Sequence, residues 1–401
     1  MLRGYSYRLY PTPAQTDLLN QHIGSARFVY NLALDTKQQA YTRFGKNISC
    51  FDLINQLPDL KTECPWLKLV NSQSLQMALR NLDNGFTSFF KGRGEYSTFR
   101  KKANGGSFQV PANRQLDFQK GTISLPKFKT GIKAVLHRKF RGAVKTVTIR
   151  RTPTGKFFAS VLVDTNQQAE TLVSLNPENV VGLDLGIKDF LVTSEGEAVA
   201  NPKHLRNNIA RLKALQRRAS HKVKGSANRR KANLRVAKQH ERITNSRKGF
   251  LHQLSSRLVK NHVGLAIEDL AVKNLLKNHK LAQVISDVSW AEFRRQLEYK
   301  CEWQGKHLLV IGRFQPSTKL CSTCGYINHT LTLADREWDC PSCQTHHDRD
   351  HNAAINIKQM ALVKHSGAER SGEPVETLTL VRSMKQEKFS TLDGEAPTPL
   401  G

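Results

Sequence analysis

No stretch of this 401-residue chain approaches the ~18 consecutive apolar residues of a membrane-spanning helix. Its first residues, MLRGYSYRLYPT, lack the apolar run of a secretory signal. The expectation is a soluble, cytoplasmic protein that makes no use of membrane. Acids are scarce: 33 Asp+Glu face 62 Lys+Arg, leaving a formal charge of +29. Such a field gathers polyanions, so nucleic acid leads as partner, ahead of a basic ribosome-associated role or a membrane surface. Cysteine is also sparse, at seven. Cys50, Cys64 and Cys301 are scattered while Cys321, Cys324, Cys340 and Cys343 cluster, which fits metal binding in a reducing compartment rather than a disulfide framework. No internal repeat is evident, and the length allows two or three domains of ~100 to 200 residues.

What is present changes texture along the chain. Residues 3–10 alternate, with Tyr5, Tyr7 and Leu9 on one side, and read as a strand. Thr12 and Pro13 have the chemistry of a helix start, and Ile23, Arg27, Tyr30 and Leu34 continue at helical spacing. A second helix is expected over about 71–91. Residues 106–164 are short β-rich runs with turns, followed by a polar linker around 167–178. From Asn179 onward VVGLDLG, DFLVTSEGEAV, GLAIEDL and HLLVIGRF read as strands alternating with helices, an α/β layer. Ser289 and Glu292 have capping-box spacing ahead of a helix with Trp290, Phe293, Leu297 and Cys301 on one face. Residues 203–248 carry sixteen Lys+Arg and one acid, Glu241, with Leu205, Ile209 and Leu212 keeping helical spacing. These are charged helices that call for a polyanion to relieve their self-repulsion.

Two motifs carry chemistry. Cys321-Ser-Thr-Cys324 and Cys340-Pro-Ser-Cys343 lie fifteen residues apart, the spacing of a closed tetrathiolate zinc site with a structural role. With four thiolates in place, His346, His347 and His351 are expected to face solvent or nucleic acid. The second motif is a set of acids: Asp184 in VVGLDLG and Glu268 in GLAIEDL, both in apolar strands, and Asp350 at a helix start in HDRDHNAAINI. Buried carboxylates need a compensating cation, and hydrolysis of a phosphodiester by two Mg²⁺ or Mn²⁺ ions needs converging carboxylates. Ala353 and Ala354 would let the last of these segments pack closely on a sheet. Alternation along a strand forbids Glu268 and Asp269 from sharing one site and does not choose between them; Asp348 and Asp350 pose the same question.

Several ordered motifs, YRLYPTPAQ, GSARFVYN, GLDLGI, HQLSSRLV, IEDL, STKLCSTCG, REWDCPSC and HDRDHNAAINI, together resemble the TnpB (OrfB) family of insertion-sequence proteins, relatives of the type V CRISPR nucleases. The resemblance covers the chain to about residue 360. It implies an α/β plus α+β multidomain protein with a RuvC (RNase H-like) nuclease core. The segments it implies are a first strand of a wedge β-barrel (1–10), a helical recognition domain (11–105) and the rest of the barrel (106–170). The nuclease core follows over 171–315 with basic helices at 203–260, then the zinc domain (316–346) and a last core segment (347–362); low periodicity and many small polar residues beyond it predict a disordered tail over 363–401. It further implies that Asp184, Glu268 and Asp350 hold catalytic Mg²⁺ or Mn²⁺, and that a transposon-derived guide RNA pairs with double-stranded target DNA beside a short recognised motif. The protein itself would be monomeric with its RNA. A guide-dependent repressor that does not cut is the alternative. Gln344 departs from the glycine common after the second knuckle. The helix-turn-helix label sometimes given to such N-termini implies no recognition helix here, since Gly24, Arg27, Tyr30 and Asn31 serve equally as packing and phosphate contacts.

Overall fold

A computed structural model describes residues 1–102, 105–167, 170–279, 281–313, 315–332 and 334–369. The chain divides into two compact units, one of residues 1–168 with 222–238 and one of 169–221 with 239–401.

In the first unit β1 (Leu2–Tyr10) is followed by helices α1 (Pro13–Phe44), α2 (Cys50–Asn55), α3 (Leu57–Glu63) and α4 (Ser72–Phe90). Strands β2 (Gly106–Val110), β3 (Gln115–Asp117), β4 (Thr122–Ser124), β5 (Ile132–Val135), β6 (Ala143–Arg151) and β7 (Phe157–Asp164) complete it. They form one antiparallel sheet in the order β2-β6-β7-β1-β5-β4-β3, so the first strand lies inside a sheet whose other members come a hundred residues later. The sheet is a half-barrel with edges at β2 and β3. Tyr7 and Leu9 are fully buried beneath α1 and α4, as the alternation predicts. α1 opens with a capping box: the Thr12 hydroxyl accepts from the Gln15 amide at 3.3 Å, and the Gln15 side chain accepts from the Thr12 amide at 3.0 Å. The short α2 and α3 have too few turns for a periodicity to show.

The second unit begins with β8 (Val180–Leu185), β9 (Asp189–Thr193) and β10 (Ala198–Ala200), an antiparallel meander. The basic segment forms two helices, α5 (His204–Ser220) and α6 (Ala227–Asn261), residues 227–238 of α6 being counted with the first unit. Then come β11 (Gly264–Glu268), α7 (Val272–Leu275), α8 (Ala282–Val288), α9 (Trp290–Trp303) and β12 (His307–Ile311). The small hairpin β13 (Glu337–Asp339) and β14 (His346–Asp348) precedes α10 (Arg349–Glu369). The sheet order is β10-β9-β8-β11-β12, with β8, β11 and β12 parallel. The chain leaves β8 in one direction along the sheet and returns to β11 on its other side.

Each sheet face has its own core. Val181, Leu183, Leu265 and Ile267 pack with Leu254 and Leu258 of α6 and with Phe293 and Leu297 of α9. Val180, Ala266 and Ile311 pack with Ile357 and Ala361 of α10.

Two expectations are corrected. Ser289 sits at φ 57° with no side-chain cap bond, and Glu292 pairs instead with Arg295 at 2.7 Å. An N-cap side chain reaches the first turn only from extended backbone, so the left-handed Ser289 turns its hydroxyl to the Ser286 carbonyl at 3.0 Å. The tail placed at 363–401 is helical through Glu369, because α10 runs on past Leu362; the remainder of that expectation, 370–401, lies outside the described residues.

Candidate active site and metal centre

Asp184 and Glu268 sit at the C-terminal ends of neighbouring parallel strands. β8 and β11 pair Val180 with Gly264 and Leu183 with Ile267, so the next residues along, Asp184 and Glu268, stand side by side about 4.8 Å apart in strand spacing. Alternation puts Asp184 on the face of Val180 and Gly182, and Glu268 on the face of Ala266, which is the face covered by α10. This is also where the strand order reverses, the usual position of a binding crevice in open sheets.

α10 reaches that crevice because both surfaces are stripped of side chains. Ala353 and Ala354 are buried, and a Cβ on Gly182 would clash with the Ala354 carbonyl oxygen and lie 2.9 Å from the Lys358 amide. Asp350, one helical turn before Ala354, is thereby carried to the ends of β8 and β11 in the first turn of α10. It is held by Arg349 at 3.1 Å and Arg336 at 3.4 Å.

Asp184 feels the other two carboxyls. Burial raises the Asp184 pKa to about 7, and the charges of Glu268 and Asp350 push it the same way, against the pull of Arg349. Burial raises Glu268 as well, opposed by a hydrogen bond from the Ser317 hydroxyl. The competing acids are engaged elsewhere. Asp269 is clamped by Arg294 and by Arg313 at 2.7 Å, which holds its carboxyl below the usual range. Asp348 accepts from the His351 amide at 2.8 Å and caps α10.

The four clustered cysteines converge so that their sulfurs all lie within 4.8 Å of one another. Four ligands ~2.3 Å from a zinc ion stand about 3.8 Å apart in a tetrahedron. Cys324 to Cys340 is 3.5 Å and Cys321 to Cys343 is 3.7 Å, so the donor set fits a structural zinc. The two knuckles are built alike. Gly325 donates to the Cys321 carbonyl at 2.9 Å with φ 77°, and Gln344 donates to the Cys340 carbonyl at 2.8 Å with φ 60°. Gln344 thus takes the left-handed turn that glycine takes in the first knuckle. Burial and the other thiols push Cys324 up, while bonds from Thr345 draw Cys343 down.

His347, expected to face solvent or nucleic acid, is buried. Its Nε2 lies 3.0 Å from the Cys321 sulfur and its ring packs on Trp338 at 4.8 Å. It lies on β14 paired with Trp338, where alternation turns it inward, whereas His346 points out to Asp339 at 2.8 Å.

Three polar residues connect the thiol site to the acids, and nothing in their spacing marked them. Asn352 and Asn356, one turn apart on α10, are 1% and 0% exposed. Asn352 donates to the Leu320 carbonyl at 2.7 Å and accepts from the Ser322 amide at 2.9 Å. Asn356 donates to the Ser317 and Leu320 carbonyls at 2.8 and 2.6 Å. Ser317, just before the first knuckle, bonds Glu268. A buried Asn between an acid and an apolar face is the one available signal, since such an amide must have partners.

Comparison with known proteins places this arrangement. A protein of Streptomyces pristinaespiralis named "Putative RNA-guided DNA endonuclease" is 41% identical over 360 residues, 88% of each chain. This chain belongs to the TnpB family. A protein of Escherichia coli K12 with the same description is 29% identical over 413 residues, 98% of this chain and 99% of the other. Family models match in three segments of this TnpB-family chain. Residues 160–279, which contain Asp184 and Glu268, match "Probable transposase"; residues 290–357, which contain the cysteines and Asp350, match "Cas12f1-like, TNB domain". Residues 1–46 match "Helix-turn-helix domain", yet there they form one strand and a single long helix. Among solved structures, Cas12f1 in its sgRNA and target DNA complex aligns with a TM-score of 0.56 at 13% identity, over 86% of this chain and 83% of that one. The shared fold is a mixed α/β multidomain. No helix among the described residues is long and apolar enough to cross a membrane.

Proposed function

We propose that this chain is an RNA-guided DNA endonuclease of an insertion sequence, cutting at a single RuvC-like site. The observation that carries the reading is the convergence of Asp184, Glu268 and Asp350 at the C-terminal ends of two parallel strands and the start of α10. The names of its relatives give the class of activity. On this reading residues 1–10 and 106–170 form the wedge, 11–105 the recognition domain, 171–315 with 347–362 the nuclease core and 316–346 the zinc domain.

The acids suit a divalent cation, because the Asp184 carboxyl, whose proton affinity burial and the charges of Glu268 and Asp350 raise, is relieved by positive charge beside it. Asp184, Glu268 and Asp350 would hold Mg²⁺ or Mn²⁺, which supplies activation of water and stabilisation of the leaving oxygen. The chain's own residues do the positioning. Ser317 fixes the Glu268 carboxylate, Arg349 and Arg336 fix Asp350, and the Arg294–Asp269–Arg313 clamp pins the end of β11. α5 and α6 offer cationic surface to the backbones of a guide RNA and its DNA target, so base pairing supplies sequence specificity while the protein holds phosphates. A zinc ion on Cys321, Cys324, Cys340 and Cys343 would act structurally, with no open position for substrate.

The test is cleavage. The chain purified with its native RNA, given Mg²⁺ and a matched double-stranded target, is expected to cut, and Asp184→Ala is expected to bind target without cutting. Equal cutting by Asp184→Ala overturns the assignment. Target binding without cutting by the unaltered chain favours a guide-dependent repressor.

A further inference from the structure

In the first unit a cavity of about 740 Å³ opens between the C-terminal parts of α1 and α4. That is within the ~300 to 1,000 Å³ typical of ligand sites. Its walls are aromatic. Phe86 and Phe90 lie nearly parallel, 22° apart with centroids 6.4 Å apart, and Tyr96 stands edge-on to Phe86 at 5.4 Å. Tyr41 closes the other side from α1. Tyr41 is 69% exposed and Phe90 78%, a clustering of aromatic surface that marks interaction sites. Polar groups stand among the rings: Gln38 and Asn47 line the cavity without spending their amides on other described residues.

The sequence flanking these lining residues is basic. Residues 37–47 and 80–96 contain six Lys+Arg against two acids. One of the acids, Asp83, is paired with Lys37 at 3.7 Å. Aromatic faces to stack on, free amides to meet a base edge and basic residues in the sequence next to the lining together describe a site for unpaired nucleotides. An apolar peptide or a second copy of this chain would have no use for these basic residues.

We propose that this cavity receives an unpaired base of single-stranded RNA. Two threonine hydroxyls on its wall, Thr42 and Thr87, are placed to meet the 2′-hydroxyl that distinguishes RNA from DNA. The choice of RNA as the resident strand rests on the guided-nuclease reading above.

The experiment uses the full chain at fixed salt and a short unstructured RNA carrying 2-aminopurine. Stacking in the cavity is expected to quench the probe. Tyr41→Ala and Phe90→Ala, both at exposed positions, are expected to abolish the quenching and weaken binding roughly five- to hundred-fold. Phe51→Ala, an exposed ring outside the cavity, is expected to change neither. Quenching unchanged in Tyr41→Ala and Phe90→Ala overturns the proposal. So does an equal response to the matching DNA strand, or a loss of self-association in Phe90→Ala with quenching intact. Guided cleavage by the unaltered chain is read separately: cutting without quenching removes only this site, and quenching without cutting removes only the nuclease reading.

Discussion

Gly182→Ala asks whether the contact between α10 and β8 sets the position of Asp350. The added Cβ would fall about 1 Å short of the 3.0 Å that real Cβ atoms keep, and the atoms it meets are the Ala354 carbonyl, the Lys358 amide and Lys358 Cβ. Backbone on both sides cannot swing away as a flexible side chain would, so α10 must retreat by about 1 Å. Overpacking of this kind costs roughly 1–3 kcal/mol, which a domain with about 5–15 kcal/mol in hand survives. Asp350 rides on the displaced turn, and a misplacement of ~1 Å at a reacting centre costs about a hundred-fold in rate. The expected outcome is a folded protein with a melting temperature lower by several degrees, RNA binding within two-fold of the unaltered chain, and cleavage lower by about two orders of magnitude. Single-turnover cleavage at matched folded fraction is the assay. Cutting within three-fold of the unaltered protein would refute the argument that this glycine positions the acid.

Other perturbations probe the same region. Folding holds the Asp184 carboxyl up from 3.8 to about 7, so the folded state binds the extra proton and stability falls as pH rises across that window. In Mg²⁺-free buffer at pH 8, Asp184→Asn is therefore expected to melt higher than the unaltered chain, by at most about 4 kcal/mol, with the gap closing below pH 4. Equal melting at pH 8 would show that the carboxyl is not strained. Gln344→Gly relieves a left-handed residue and is expected to stabilise the second knuckle by roughly 0.5–1 kcal/mol, read as slower zinc release to a chelator; faster release would contradict it. Asn352→Ala leaves the Ser322 amide without its acceptor and is expected to cost about 1–3 kcal/mol while slowing cleavage with one zinc per chain retained. Loss of zinc from that variant would mean that Asn352 supports the knuckle itself.

Legibility from sequence divided along physical lines. The tetrathiolate could be read because ligand number and spacing are demanded by one ion, and CxxC fifteen residues from CxxC has few other uses. The strands carrying Asp184 and Glu268 could be read because a sheet covered on both faces needs unbroken apolar runs, and these are VVGL and GLAI. The choice between Glu268 and Asp269 could not. It depends on which sheet face α10 occupies and on Arg294 and Arg313 lying within reach of Asp269, both set by packing between segments far apart in sequence. His347 was misjudged for a related reason: four thiolates satisfy a zinc ion, but the thiolates themselves accept hydrogen bonds, and a two-stranded hairpin turns every second residue toward them.

Asn352, Asn356 and Ser317 alter what a zinc ion on the four cysteines would do. A structural metal far from substrate would ordinarily matter only for the stability of its own loop. Here the carbonyls of Ser317 and Leu320, just before the first knuckle, are the partners of two amides on the helix that carries Asp350, and the Ser317 hydroxyl reaches Glu268. Two of the three acids are therefore positioned through groups whose backbone geometry four thiolates hold in place. Buried amides of this kind tolerate little displacement, since an unmade bond costs the full desolvation of its partners. Loosening the knuckle is consequently expected to loosen the acid site before it unfolds the core, because Val180, Ala266, Ile357 and Ala361 pack α10 against the sheet two turns further on.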